Sequence, residues 1–309
     1  MAQDQPAQPL VHFHHVHLNA LNPDLAMGWY TRHFDGERAK FGGMDALWVG
    51  KSWILFNKVD QPPPWKITTA LYHIGWGSEN ARADYEKFIA MGSRFETHMR
   101  DLAEGLPLPP GQRYYMYLWG PDNVMIEDIT AGNHYYNHVH LMSEDPVSAG
   151  EWYQKEFGFP RRAQPPSRQP RFFNGYQIGP TSGFNIDNVN VPIFPIELER
   201  ELFPAEWEGR KHPESPKGHA LDHFAFSCEN LEAMLARLRK DGVKVVEEPH
   251  TSFNGALRSA FIEGPDNVLI ELVEGHAKKE IIRGEDGTLP SLRFLAIRRW
   301  SGAVWSGRP

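Results

Sequence analysis

The sequence has little cysteine, no long apolar run and no excess of basic residues, and each absence excludes a class of protein. Its single cysteine, Cys228, excludes an intrachain disulfide and a cysteine-based zinc cluster. No apolar stretch approaches the roughly 18 residues of a membrane-spanning helix. Lysine and arginine number 32 against 39 acidic residues, a formal net charge of −7. We therefore expect neither nucleic acid nor a membrane as a partner, but a small-molecule substrate.

Histidine is the residue that the sequence has in abundance. It accounts for 15 of 309 residues, and seven of these lie within segments 12–17 and 134–140. Since cysteine cannot supply a cluster, any bound metal depends on histidine and carboxylate ligands.

The chain also repeats itself, which predicts a duplicated architecture. Three ordered blocks recur: residues 15–18 as 138–141, residues 71–73 as 221–223, and residues 120–127 as 264–271. A length of 309 residues suits about two domains, and the matches place them at 10–131 and 134–274. The tail 275–309 has no counterpart and no assigned role.

Each half contains the same predicted series of elements twice: a strand, a helix and three further strands. The predicted fold class is therefore α+β, with four βαβββ modules. His138 and His223 are farther apart in the chain than their counterparts His15 and His73, which predicts an insertion at about 189–218. This insertion is either a lid over the second site or a packed surface loop.

The repeated histidines and glutamates predict metal ligands. Strand alternation places the two histidines of each His-x-His pair on one face. Each half adds a histidine on a later strand and a glutamate near its last strand. The residues concerned are His15, His17, His73 and Glu127, then His138, His140, His223 and Glu271. Two histidines and one carboxylate from three strands form a facial triad, which suits Fe(II) or another divalent metal and leaves coordination positions open.

These motifs resemble the vicinal oxygen chelate superfamily, which includes glyoxalases, bleomycin resistance proteins and extradiol dioxygenases. The resemblance rests on the opening x-His-Val-x-Leu, the Asp-His-x-Ala-Phe of Asp222–Phe226, and the closing Gly-Pro-Asp-x(3)-Ile-Glu. It covers residues 11–274 and is similar to the two-domain, four-module type. It implies two tandem domains with cupped mixed sheets.

The resemblance also implies roles for individual residues. The metal ligands it implies are His15, His73 and Glu127 in the first half, and His138, His223 and Glu271 in the second. His17 and His140 then lie behind the ligands or face the substrate. The implied catalytic residues are His98, Tyr117 and His250, with Phe261 in place of the tyrosine in the second half. The implied cofactor is a divalent metal, with Fe(II) favoured and Mn, Zn or Ni as alternatives.

Three functions follow as hypotheses. The first is an extradiol-type ring-cleaving dioxygenase that acts on a small aromatic diol. The second is a glyoxalase-like lyase, isomerase or epimerase that uses Zn or Ni, in which Asp187, aligned with Asn57, serves as a fourth ligand. The third is a non-enzymatic binding protein of the resistance type. Either both halves hold a metal or one site is vestigial.

The sequence leaves the location of the protein open. No apolar signal core follows Met1, but the polar, proline-bearing segment 2–9 could follow a removed leader. Cytoplasmic and exported locations are therefore both compatible with the chain, and so is a homodimer.

Overall fold

The computed structural model describes residues 10–34, 36–104, 108–159, 167–173 and 176–278. Segment 2–9 and the tail beyond residue 278 lie outside the described residues. The first module contains β1 (His12–Ala20), α1 (Pro23–His33), β2 (Glu37–Phe41), β3 (Met44–Val49) and β4 (Ser52–Lys58). The second contains β5 (Leu71–Ser78), α2 (Ala81–Ala90), β6 (Phe95–Asp101), β7 (Tyr114–Trp119) and β8 (Met125–Thr130).

The other two modules repeat this order with one elaboration. The third contains β9 (Tyr136–Ser143), α3 (Pro146–Phe157), β10 (Arg171–Phe173), β11 (Tyr176–Gly179), β12 (Ser182–Ile186) and β13 (Val189–Pro195). Two short helices follow, α4 (Glu197–Leu202) and α5 (Pro204–Trp207). The fourth contains β14 (Leu221–Cys228), α6 (Leu231–Lys240), β15 (Val245–Ser252), β16 (Leu257–Glu263) and β17 (Leu269–Glu274). The α+β class and the tandem vicinal-oxygen-chelate fold are thereby confirmed.

The main helix of each module begins at a residue that the local sequence provides. Asn22, Asn80, Asp145 and Asn230 are the N-caps, and each side chain accepts a hydrogen bond from a backbone N–H in the first helical turn. Proline follows the cap in α1 and α3, where its missing N–H costs nothing. These caps explain why the modules could be delimited from sequence.

The sheets do not pair the modules in chain order. The larger of the two main sheets has eight strands in the order β15-β16-β17-β14-β1-β4-β3-β2, and the smaller has seven in the order β12-β13-β9-β5-β8-β7-β6; β10 and β11 form a separate two-stranded sheet. The first module thus shares a sheet with the fourth, and the second with the third, through antiparallel pairing of their opening strands. We had expected neighbouring modules to share a domain. The opening strands are so alike in sequence that their motifs cannot specify which two of them pair.

The insertion begins later in the chain than the sequence predicts. Val189–Pro195, expected to begin it, is instead the last strand of the third module and pairs in parallel with β9. The extra segment is 196–220, and its Ile196 and Trp207 pack with Tyr72 and Met142 in an apolar cluster. It is packed against the seven-stranded sheet and carries α4, whose residues reach the functional site described below.

The core combines apolar side chains from all four modules. Trp76 from β5 lies 5.8 Å from Tyr30 of α1 and 5.2 Å from Tyr136 of β9, measured between ring centroids. Each fully buried apolar side chain of this core, such as Phe88, contributes roughly 1.5–3 kcal/mol. None of the helices in the described ranges is both long and apolar enough to cross a membrane.

Candidate metal centre

The first cluster, here called the His73 site, consists of His73 on β5, Glu127 on β8 and His138 on β9. His73 Nε2 lies 3.1 Å from Glu127 Oε2 and 3.1 Å from His138 Nε2. His138 Nε2 lies 2.9 Å from the same carboxylate oxygen. All three side chains are buried. Three donor atoms from three strands therefore converge on one point.

The triangle of donor atoms fits a divalent metal. Octahedral metal–ligand distances of about 2.1 Å give about 3.0 Å between neighbouring ligand atoms, and the observed sides are 2.9, 3.1 and 3.1 Å. A tetrahedral zinc site with similar bond lengths would need about 3.4 Å. The three donor atoms are therefore close enough together for one divalent cation to contact all of them.

Two neighbouring residues position His138. Its Nδ1 lies 2.6 Å from Asn137 Oδ1, so a proton on Nδ1 is held there and Nε2 keeps its lone pair for a metal. Gly75, opposite His138 in the β5–β9 ladder, makes room for the ring: a Cβ atom at Gly75 would lie 1.9 Å from His138 Cε1 and 2.3 Å from Nε2. Only glycine therefore fits at position 75.

The surroundings of His73 and Glu127 favour the protonation states in which these side chains bind a metal. Burial lowers the pKa of His73 from 6.5 to about 4, only partly offset by its hydrogen bond with Glu127. Burial alone would raise the pKa of Glu127, but the contacts with the imidazoles of His138 and His73 outweigh it and hold that pKa below its ordinary value. At neutral pH His73 is therefore neutral and Glu127 ionised, which are the forms that bind a cation.

The second cluster, here called the His15 site, is the counterpart in the eight-stranded sheet. His15 Nε2 lies 2.9 Å from Glu271 Oε2, and His223 Nε2 lies 3.2 Å from the same oxygen. Burial lowers the pKa of His223, but hydrogen bonds to Asp222 and Glu271 outweigh this and raise it to about 9. A metal here would have to displace the proton that His223 shares with these two carboxylates.

The structure regroups the expected ligands. We had expected His15 with His73 and Glu127, and His138 with His223 and Glu271. Because the first module pairs with the fourth, His15 instead meets His223 and Glu271, and His138 meets His73 and Glu127. His140 and His17 lie beside their respective clusters, with a ring nitrogen within 4.8 Å of two ligand atoms.

The internal symmetry locates the position that a fourth ligand would occupy. Glu127 is paired with Gly75, two residues beyond His73 on the adjacent parallel strand. In the third module Asn190 of β13 is paired with His138 of β9. Pro192 therefore lies opposite the residue two positions beyond His138, and it is the counterpart of Glu127. In the His15 site the equivalent is Leu55, paired with His17. Neither proline nor leucine can bind a metal, so among the described residues the candidates for a fourth ligand are His140 and His17, beside the two clusters.

Asp187, the expected fourth ligand, is placed elsewhere. It lies in the turn between β12 and β13 with a φ of 52°, and it accepts a hydrogen bond from the backbone N–H of Phe13. Its other carboxylate oxygen lies 2.9 Å from His12 Nδ1. The alignment with Asn57 missed the turn, because β13 begins only at Val189.

A cavity of about 450 Å³ opens onto the His73 site. Glu127, His138, His140 and Tyr117 line it, together with side chains from β6, β11, β13 and α4. The Tyr117 ring centroid lies 5.1 Å from that of His73. Both ring nitrogens of His140 are buried without a hydrogen-bond partner in the described part of the chain.

The corresponding face of the eight-stranded sheet is filled by side chains. Phe41, Trp53 and Leu55 form a buried apolar cluster with Ala225 and Leu257 there. Trp53 and Phe41 are 5.3 Å apart between ring centroids, and Phe41 packs against His14, the neighbour of His15. The two clusters thus share a ligand set but differ in their access to a small molecule.

The two histidines expected to move protons do not line the large cavity. His98 is exposed and stacks on Phe95 at 4.6 Å, with Nδ1 3.0 Å from Tyr85 Oη. His250 stacks on Phe261 at 6.0 Å, and Phe261 separates it from His223. His250 therefore belongs to the periphery of the His15 site.

Sequence reasoning missed Glu96, which lines the cavity where His98 was expected. The register of β6 against β7 is irregular on both sides of Thr97. Such irregularities reverse which face a side chain takes. Arg100, Arg113 and the α4 residues Leu198 and Leu202 also line the cavity and were not predicted. For Leu198 and Leu202 the signal in the sequence was their place in the predicted insertion at about 189–218.

Comparisons with known proteins agree with this fold. Residues 135–272 match the model of the Glyoxalase/Bleomycin resistance protein/Dioxygenase superfamily. A "Probable lactoylglutathione lyase" from Synechocystis is 35% identical over 63 residues, or 20% of this chain. The match spans about half of that protein's length, 48%.

Solved structures of similar fold cover most of the chain. Glyoxalase I from Zea mays has a TM-score of 0.63 at 15% identity, covering 86% of this chain and 93% of that one. A putative dioxygenase from Bacillus subtilis has a TM-score of 0.54 at 10% identity, covering 87% and 86%. At these identities the likeness establishes the fold alone. The expected resemblance is confirmed over residues 135–272, which are similar to the Glyoxalase/Bleomycin resistance protein/Dioxygenase superfamily.

Proposed function

We propose that the protein is a metal-dependent enzyme centred on the His73 site, and that it is a ring-cleaving dioxygenase acting on a small aromatic diol. The observation that carries this proposal is Pro192, at the position symmetric to Glu127. With no carboxylate at that position, the frame of His73, His138 and Glu127 would leave room for two substrate oxygens and one further small ligand, and in this proposal the neighbouring His140 contacts the substrate and not the metal.

The chain's own residues suit such a substrate. When bound, a divalent metal such as Fe(II) would hold the two oxygens of the diol and supply the redox chemistry with dioxygen. The cavity of about 450 Å³ has the size of a small-molecule site. Tyr117 and His140 face it and would hydrogen-bond the bound substrate, while Phe194 and Leu198 supply apolar walls for a ring.

A lyase or isomerase of the glyoxalase type is the second candidate. It is favoured by the name of the Synechocystis relative and by the fold shared with maize glyoxalase I. In this case Glu96, which lines the cavity, would be the carboxylate available for proton transfer. This reaction would need no oxygen.

Oxygen dependence separates the two candidates. Protein loaded anaerobically with Fe(II) is mixed with a panel of catechols and hydroquinones in an oxygen electrode, and protein loaded with Zn²⁺ or Ni²⁺ is assayed without oxygen for formation or breakdown of lactoylglutathione. The proposal expects oxygen uptake that Glu127→Gln abolishes. Glu271→Gln, the matched change in the His15 site, should retain it.

Each remaining outcome decides against the dioxygenase. Turnover of lactoylglutathione that does not depend on oxygen, again lost in Glu127→Gln, supports the lyase. A small-molecule ligand that binds equally well to wild type and Glu127→Gln, without turnover, would leave the non-enzymatic binding protein.

A further inference from the structure

A second cavity, of about 200 Å³, lies on the other face of the seven-stranded sheet from the His73 site. It is enclosed by the end of α1, by α2 and by strands β5 and β8. The residues that matter for its chemistry are Phe34, Trp76, Asp84, Lys87, Asp128 and His134.

Asp128 reaches this cavity because of strand alternation. Its neighbour Glu127 points to the His73 site, so Asp128 points to the opposite face, beside Trp76 in the β5–β8 register. Asp128 is only 2% exposed, and its Oδ1 has no hydrogen-bond partner among the described residues. A buried carboxylate oxygen without a partner is unfavourable, so this side chain requires a donor or a cation from outside the chain.

The groups around Asp128 do not stabilise its negative charge: burial first, and then the charges of Asp84 and Glu127, raise the pKa of its carboxyl to about 8. Asp84 accepts a hydrogen bond from Ser78 Oγ and lies 3.8 Å from His134 Nδ1. The nearest cation, Lys87, donates from Nζ to the backbone oxygen of His33 at 2.9 Å. Lys87 is thus directed to a neutral acceptor and forms no ion pair with Asp128 among the described residues.

The shape of the cavity favours an organic cation over a metal ion. Phe34 and Trp76 stack at 4.5 Å between ring centroids and give it an aromatic, apolar wall against which an alkyl group can pack. Among the described residues, Asp84, Asp128 and His134 are not close enough together to form a metal-sized group of ligand atoms. A volume of about 200 Å³ also exceeds that of a single ion.

We propose that this cavity binds a small alkylammonium ion, whose N–H groups pair with Asp128 and Asp84 while its alkyl part lies against Phe34 and Trp76. The site is separate from the metal centre and does not depend on the proposed function. The two sites share strand β8.

The test is calorimetric titration of the full chain with ethylammonium chloride, with ethanol as a neutral ligand of similar size and sodium chloride to control for ionic strength. Wild type should bind ethylammonium and not ethanol. Asp128→Asn should weaken binding roughly ten- to hundredfold, the effect of losing one charge-assisted hydrogen bond. Asp84→Asn should weaken it less, because Asp84 already has Ser78 as a partner.

Glu86→Gln is the matched control, since Glu86 is exposed on the same helix as Asp84 but does not line the cavity. It should bind like wild type. A thermal melt at neutral pH adds a readout without ligand: Asp128→Asn should unfold at a higher temperature than wild type, because burial raises the pKa of this carboxyl to about 8 and so costs stability that an amide does not cost. Absence of ethylammonium binding, equal binding by Asp128→Asn, or equal binding of ethanol would each overturn the proposal.

Discussion

Replacing Gly75 with alanine should destroy the His73 site without unfolding the protein. The added Cβ would lie 1.9 Å from His138 Cε1, whereas carbon atoms in contact are about 3.5–4.0 Å apart. The imidazole must therefore move by about 1.5 Å or more. Because a side chain can rotate while β5 and β9 stay paired, we expect His138 to turn away from Glu127 and the backbone to remain.

The expected loss follows from that displacement. Binding groups must be held to within about 0.5 Å of productive geometry, and a misplacement of about 1 Å can cost a hundredfold in rate. Gly75→Ala should therefore lower metal affinity and metal-dependent turnover by about a hundredfold or more. Elemental analysis, metal titration and turnover measure this loss, and circular dichroism with thermal melting verifies the fold.

Ala225→Gly provides the matched control. Ala225 is paired with His15 in the eight-stranded sheet, as Gly75 is paired with His138 in the other. Removing its Cβ should leave the metal content and turnover of the His73 site unchanged. The reasoning is refuted if folded Gly75→Ala keeps wild-type metal content and turnover, or if Ala225→Gly loses them to the same extent.

Three further predictions concern other positions. Pro192→Glu should supply a fourth ligand, tightening Zn²⁺ binding about tenfold or more in competition titrations and reducing diol-dependent oxygen uptake; unchanged Zn²⁺ affinity would contradict it. Tyr117→Phe, which copies Phe261 of the other site, should lower kcat roughly ten- to hundredfold at unchanged metal content; an unaltered kcat would exclude a role for the hydroxyl. Burial lowers the pKa of His33 from 6.5 to about 4, so the unfolded chain binds this proton at higher pH than the folded protein. The contribution of this histidine to the free energy of unfolding is present above pH 6.5 and is lost as the pH falls towards 4. By pH 5 the loss amounts to about 2 kcal/mol. His33→Gln should remove that part of the pH dependence in urea unfolding, and His98→Gln, at an exposed position, should not; an equal fall in stability in both variants would contradict it.

Local signals made much of the site predictable. His-x-His on an opening strand and Glu before the end of a closing strand are alternation patterns, and each of the six predicted ligands lies in one of the two clusters. Tyr117 was placed beside the metal ligands by its distance from the Gly-Pro-Asp turn. His98 lies outside the cavity for a local reason of another kind. The register of β6 is irregular, so His98 faces outward and Glu96 lines the cavity.

The sequence by itself determined the four modules, their helix caps and the residue types of both triads, because strand alternation, capping and turn formation act over a few residues. Only the tertiary structure decided which histidine meets which glutamate, because the pairing of β1 with β14 and of β5 with β9 joins strands whose motifs are nearly interchangeable. It also decided that Pro192 faces the position of a fourth ligand, that Gly75 makes room for His138, and that one triad opens to a cavity while Phe41 and Trp53 fill the space beside the other. Contacts of that kind depend on how whole sheets pack, and no local pattern in the chain encodes them.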